Sequence, residues 1–211
     1  MDNAAAHIVL LGDSIFDNAA YVPGEPAVVA QLRSLPPSGS QATLLAVDGA
    51  VTSGVARQLT RLPSDATRLV VSAGGNDALG ESHLLRQPGR NVGEGLAMLR
   101  EAQQRFARSY EQMVSAVLDT KVPAALCTIY DANHPAPEGD IIKAALSLFN
   151  DVITRAAFMR GLPVIDLRLI CSEASEYANP IEPSAKGGDK IAQAIADLVG
   201  KSSSRLSMVV S

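Results

Sequence analysis

The sequence predicts an α/β protein: three layers, α/β/α, around a five-stranded parallel sheet. Two observations carry this reading. Five short aliphatic runs alternate with longer stretches of helical periodicity, the pattern of a parallel sheet covered by helices on both faces. The first three runs each break at a glycine-rich polar turn, and ligand sites of open parallel sheets lie just outside the carboxyl ends of the strands. The length of 211 residues suits one domain with a sizeable core. That domain is expected over residues 1–200. Residues 201–211, serine-rich at first, are expected to form a flexible C-terminal tail.

The strands are expected at His7–Leu11, Thr43–Val47, Leu69–Ala73, Ala124–Ile129 and Pro163–Leu167. Between them, Pro26–Leu35 reads as a short helix with one apolar face. Thr52–Leu62 follows with Val55, Leu59 and Leu62 at helical spacing. Gly95–Thr120 is a long helix whose stripe runs through Leu96, Leu99, Phe106, Tyr110, Met113, Val114 and Val117. Asp140–Gly161 carries Ile141, Leu146, Phe149, Ile153 and Phe158, with Gly161 as its stop. Ser184–Val199 closes the domain as an amphipathic helix. Right-handed crossovers leave few ways to connect these elements. The segment Leu79–Gly93, with three glycines and a proline, reads equally as a lid over the site or as a plain surface connection.

The chemistry concentrates in the turns. His7-Ile8-Val9-Leu10-Leu11 runs into Gly12-Asp13-Ser14, which places a serine hydroxyl at the carboxyl edge of the sheet. The second run ends in Asp48-Gly49-Ala50-Val51-Thr52-Ser53-Gly54 and the third in Gly74-Gly75-Asn76-Asp77. Taken singly, each is also ordinary turn chemistry, and Asn76-Asp77 also reads as a helix cap. Together, at three successive strand ends, they resemble the SGNH (GDSL-type) hydrolase family over nearly the whole chain. The resemblance implies a flavodoxin-like strand order, Ser14 as nucleophile, and an oxyanion hole from the Ser14 and Gly49 backbone amides and the Asn76 side chain. Asp13 and Asp77 would support these groups.

The chain departs from the family near its C-terminus. Where the family carries Asp-x-x-His-Pro, this chain reads Asn179-Pro180-Ile181-Glu182-Pro183. A neutral serine hydroxyl is a weak nucleophile and needs an adjacent base. Three readings stay open. Glu182 acts as base, with Asn179 orienting it, if burial raises its pKa. Alternatively His134, in the loop Tyr130-Asp131-Ala132-Asn133-His134-Pro135, swings toward Ser14 with Asp131 behind it. His83, in the lid-like segment, ranks below both. In the last reading the site has no competent base.

Composition bounds the function. Hydrophobic residues make up 47% and charged residues 19%, as in ordinary globular proteins. A net charge of −4 gives no sign of nucleic-acid affinity. No run is long and apolar enough to span a bilayer, and the acidic N-terminus does not read as a secretion signal, so a cytoplasmic protein is expected. Cys127 and Cys171 read as buried, reduced hydrophobes. The three histidines show no metal-ligand spacing, and neither metal nor cofactor is expected. A phosphate or nucleotide binder is disfavoured because no phosphate-loop lysine or dinucleotide fingerprint is present. Two functions remain. One is a serine hydrolase of a small carboxylic ester, with an acetyl or short acyl group. The other is a degenerate relative that binds an acyl or sugar ligand without turnover. Oligomeric state is not readable.

Overall fold

The computed structural model describes residues 6–35 and 40–200. The expected tail, 201–211, lies outside the described residues. The central sheet consists of β1 (His7–Gly12), β2 (Gln41–Leu44), β3 (Arg68–Ser72), β4 (Ala124–Cys127) and β5 (Val164–Ile165). All pairings are parallel and the order is β2-β1-β3-β4-β5, the flavodoxin-like order expected.

Alternation along the buried strands sorts the core into two faces. Val9 and Leu11 of β1, Leu69 and Val71 of β3 and Leu126 of β4 point to one face. They pack there against α2 (Val55–Leu59), α4 (Val92–Asp119) and α5 (Glu138–Met159). Ile8, Leu10, Val70 and Cys127 point to the other, against α1 (Val28–Arg33), α6 (Leu167–Ile170) and α7 (Ala185–Gly200). Phe106, Tyr110, Met113, Val114 and Val117 of α4 are buried as the helical stripe requires. Leu96, from the same stripe, is exposed.

Several boundaries differ from expectation. The second strand is Gln41–Leu44, not Thr43–Val47, although Leu45, Ala46 and Val47 still donate backbone bonds to β1. The first turn does not lead straight into a helix: residues 13–16 form a tight turn, and α1 begins only at Val28. The glycine turn at 74 opens a short helix, α3 (Gly75–Gly80), that periodicity cannot reveal in six residues. A two-stranded antiparallel hairpin, β6 (Tyr177–Asn179) and β7 (Glu182–Pro183), precedes α7. Both cysteines are free and buried. Among the described residues, no helix is long and apolar enough to cross a membrane.

Two buried carboxamides finish the sheet where its ladders end. Gly12 donates its N–H to Gln58 Oε1 (2.8 Å) and accepts from Gln58 Nε2 at its carbonyl (2.7 Å). Ile129, just past β4, is held the same way by Asn150 of α5, at 2.8 Å for each bond. Each amide pairs with two backbone groups at a ladder's end, and for the Gly12 and Ile129 N–H groups it is the acceptor; a buried unpaired polar group is expensive. Gln58→Leu leaves the Gly12 N–H unpaired, while its carbonyl keeps the Val47 amide, so it should destabilise the fold by about 1–3 kcal/mol. Asn150→Leu should do the same through Ile129. Urea unfolding of each variant measures the loss, and a change below about 0.5 kcal/mol, the level of an ordinary surface substitution, would contradict the role.

Candidate active site

The first turn is forced by sterics. Gly12 has φ +121°, and a Cβ there would lie 1.7 Å from the Ser72 carbonyl oxygen, so only glycine fits. The next residue, Asp13, donates its N–H to the same carbonyl at 3.1 Å. Phe16 and Asp17 donate to the Asp13 carbonyl, closing the turn around Ser14. Ser14 is buried but lines a cavity of about 150 Å³ at the carboxyl edge of the sheet.

Glu182 meets Ser14 there. The Ser14 hydroxyl donates to Glu182 Oε1 at 3.0 Å across 168 residues of sequence. The other carboxylate oxygen, Oε2, is buried with no hydrogen-bond partner among the described residues. Burial pushes the Glu182 pKa up to about 7. The Ser14 hydrogen bond opposes the rise, and the Asp48 charge adds to it.

Side-chain anchors place this carboxylate. The hairpin has no place in the central sheet, so other contacts hold it. Asn18, fully buried, accepts from the Val28 amide and donates to the Pro183 carbonyl at 3.5 Å. The Tyr130 hydroxyl donates to the Ile181 carbonyl, and the Asn133 amide to the Pro180 carbonyl at 2.8 Å. The Tyr177 hydroxyl donates to the Asp131 and Cys171 carbonyls, with its ring edge-on to Tyr130 at 5.3 Å. Beneath the hairpin, Glu176 is fully buried, accepts the Ser172 and Glu173 amides, and pairs with Lys190 of α7. Gly187 is needed because a Cβ would stand 2.2 Å from the Glu176 carbonyl oxygen.

Asn76 and Asp77 sit in the first turn of α3, behind Gly74, and both face the loop after β2. Asn76 Nδ2 donates to the Ala50 carbonyl at 3.0 Å. Asp77 accepts from the Thr52 amide (2.9 Å) and hydroxyl (2.8 Å). Together they hold the Gly49 turn, whose φ is +74°, beside the cavity. Asn76 lines that cavity with Ser14, whereas Gly49 is exposed and one residue removed from the Asn76 contact. The backbone N–H groups of Ser14 and Gly49 donate to no protein acceptor among the described residues.

Other candidates fall elsewhere. His134 lines the cavity but makes no side-chain hydrogen bond with Ser14 or with Asp131. Asp131 faces Lys143 instead, at 4.0 Å. Asn179 is exposed and accepts from the Ile181 amide at 2.9 Å, shaping the hairpin turn rather than touching Glu182. His83 is exposed, with Nδ1 3.2 Å from the Gly80 carbonyl oxygen. Asp13 is buried beside Ser14 and accepts the Ile15 amide at 3.2 Å. The lid-like segment forms a cavity wall through Leu79 and Leu85, and Arg105 of α4 grips Glu81 there with two bonds, 3.0 and 2.9 Å. Among the described residues no three His, Cys, Asp or Glu side chains are grouped to hold a metal ion. Gln58, Asn18 and Tyr130, to which the sequence reading gives no role, support the site through partners 46, 165 and 51 residues away.

The raised Glu182 pKa has a consequence for stability. Between about pH 4.5 and 7 the native carboxyl keeps a proton that the unfolded chain has lost, so stability falls as pH rises. Glu182→Gln removes that contribution while keeping the shape. Relative to the wild type, the variant should gain stability through this window, by about 1–3 kcal/mol at pH 8, and show no gain at pH 4. Urea titrations at the two pH values test the sign.

Comparison with known proteins agrees with this fold. The chain resembles the crystal structure of an extracellular lipase from Streptomyces rimosus (19% identity, TM-score 0.66), covering 92% of this chain and 99% of that one. A lipase from a goat rumen metagenome is 18% identical with a TM-score of 0.70, covering 92% of this chain and 97% of that one. A psychrotrophic esterase from Pseudoalteromonas, in a structure inhibited by monoethylphosphonate, is 19% identical with a TM-score of 0.61, covering 92% and 99%. These identities establish a shared fold. No curated protein matches the sequence at a significant level. The sequence model of a family of GDSL-like lipases and acylhydrolases matches residues 10–190, nearly the whole domain, and the chain therefore belongs to the GDSL-like lipase/acylhydrolase family.

Proposed function

We propose that this protein hydrolyses a small carboxylic ester through an acyl-enzyme on Ser14, with Glu182 in the position of a general base. The observation that carries the reading is the 3.0 Å hydrogen bond from Ser14 Oγ to a buried carboxylate oxygen. A base must lie within hydrogen-bond reach of the proton it takes, and its pKa serves best near the working pH. Glu182 meets the first condition directly, and burial supports the second.

The steps follow from the groups present. Ser14 Oγ attacks the ester carbonyl carbon as its proton passes to Glu182. The oxyanion forms facing three donors: the free N–H groups of Ser14 and Gly49, and the Asn76 N–H not engaged by Ala50. Each such donor typically contributes ~3–4 kcal/mol to the transition state. The intermediate collapses, and the departing alkoxide takes the proton from Glu182. A water molecule then gives a proton to Glu182 and attacks the acyl carbonyl; as this second intermediate collapses, Glu182 returns the proton to the departing Ser14 Oγ, which releases the acid and restores both groups. The acyl group fits the apolar cavity wall of Leu79, Leu99, Ile142, Leu146 and Phe149. Its volume of about 150 Å³ matches a short chain: a cavity of that size in another protein admits benzene.

A fluorophosphonate probe should label Ser14, and p-nitrophenyl acetate and butyrate should be turned over. Ser14→Ala should abolish turnover with a stability change within about 1 kcal/mol. Glu182→Gln should lose about 100-fold or more in kcat, the usual contribution of a general base. The wild-type rate should rise with pH through a midpoint near the Glu182 value of about 7. Full activity in Glu182→Gln, with loss in His134→Ala, would transfer the role to the histidine. A wild type inert on esters and thioesters, with unlabelled Ser14, would instead favour an acyl- or sugar-binding protein without turnover.

A further inference from the structure

The site holds a second carboxyl group for which the proposed reaction has no use. Asp13 is only 3% exposed and lines the same cavity as Ser14 and Glu182. It accepts one hydrogen bond, from the Ile15 amide at 3.2 Å, and forms no ion pair among the described residues. The groups that face it bring no positive charge. Glu182 approaches from β7, Asp77 from α3, Tyr110 from α4 and Cys127 from β4, with Tyr130 from the loop after β4. The His134 imidazole lines the cavity too, but makes no hydrogen bond or ion pair with either carboxyl. A charged carboxylate in such a place lacks both water and a counter-ion, and burial then favours the neutral acid.

We infer that Asp13 is a neutral carboxylic acid while Glu182 is ionised, and that loss of the Asp13 proton switches the site off at alkaline pH. The inference rests on the hydrolase reading above for its effect on rate, but not for the protonation state itself. Two like charges in one small cavity oppose each other, so the pair gives up its protons in two steps that belong to both groups. The first proton lost in the productive state leaves Glu182 able to accept from Ser14. The second places a negative charge on the residue whose neighbouring amide faces the oxyanion, and this works against the charge that develops there. Burial first, then the Glu182 and Asp77 charges, push Asp13 up to about 7, against the Ile15 hydrogen bond and a smaller contribution from its own backbone amide.

Two measurements test this. The rate of the wild type should follow a bell in pH, falling at least fivefold between its maximum and pH 9.5, and Asp13→Asn should replace the alkaline fall by a plateau. Independently of turnover, 13C-labelled aspartate, with the Asp13 carboxyl assigned through its own backbone amide, reports protonation in the intact protein. Asp13 should be protonated at pH 6 in the wild type and in Glu182→Gln. A carboxylate signal at pH 6, or a wild-type rate without an alkaline fall, overturns the inference. So does an alkaline fall that persists in Asp13→Asn. If the protein turns over no ester while Asp13 is protonated at pH 6, the neutral acid stands and the hydrolase reading fails alone. The spectroscopic arm also decides the case should Asp13→Asn fail to fold.

Discussion

The closeness of Gly12 to the Ser72 carbonyl is the constraint on which the site depends. Strands β1 and β3 run together to their last residues, and no side chain fits between them at that point. The chain must leave β1 through a conformation open to glycine, and that turn brings Asp13 and Ser14 over the sheet edge. The Gln58 carboxamide accepts the Gly12 N–H and shares its carbonyl with the Val47 amide, so the peptide at this tight turn is fully paired. The serine is therefore aimed by rigid parts: a steric contact, a closed turn and a buried amide.

The carboxylate that meets the serine is placed by different means. Glu182 stands on a two-residue strand outside the main sheet, and its register comes from the Asn179 turn. What fixes the hairpin is a set of polar anchors to three separate elements: Asn18 in the first turn, the loop after β4, and the Glu176–Lys190 pair on α7. Glu176 is the deepest of these. Burial alone would raise its pKa, but Lys190 and two backbone amides hold it below the usual carboxylate range. It therefore stays charged through the pH range below about 7 in which Glu182 holds a proton, although the two lie six residues apart. One carboxyl has a cation and donors, while the other has a serine hydroxyl and apolar walls.

Much of this was legible in the sequence, and the division follows contact distance. The five strands and the Ser14 and Asn76 turns are local or periodic signals, and the strand order follows the resembling family. Glu182 was reachable because it stands at a landmark of a resembling family. The boundaries of β2 and α4 slipped by a few residues, since pairing and capping set them rather than composition. Gln58, Asn150, Asn18 and Tyr130 were not legible. Each looks like an ordinary residue of its own segment, and its partner lies between 21 and 165 residues away. The hairpin did leave a trace, the Asn179-Pro180 turn dipeptide, and Gly187-Gly188 marked a close helix approach.

The unequal anchoring of the two partners shapes how the protein responds to heat. Ser14 follows directly on β1 of the central sheet, whereas Glu182 belongs to a small unit held outside that sheet by a few hydrogen bonds and ring contacts. Local opening of that unit requires those anchors to part and Tyr177 to leave the edge of the second core cluster, with the first cluster untouched. The serine and its carboxylate would then separate in a molecule that is otherwise native, and rejoin on cooling. On the hydrolase reading, the temperature limit of the chemistry would then be set by the anchors of a hairpin rather than by the strength of the core.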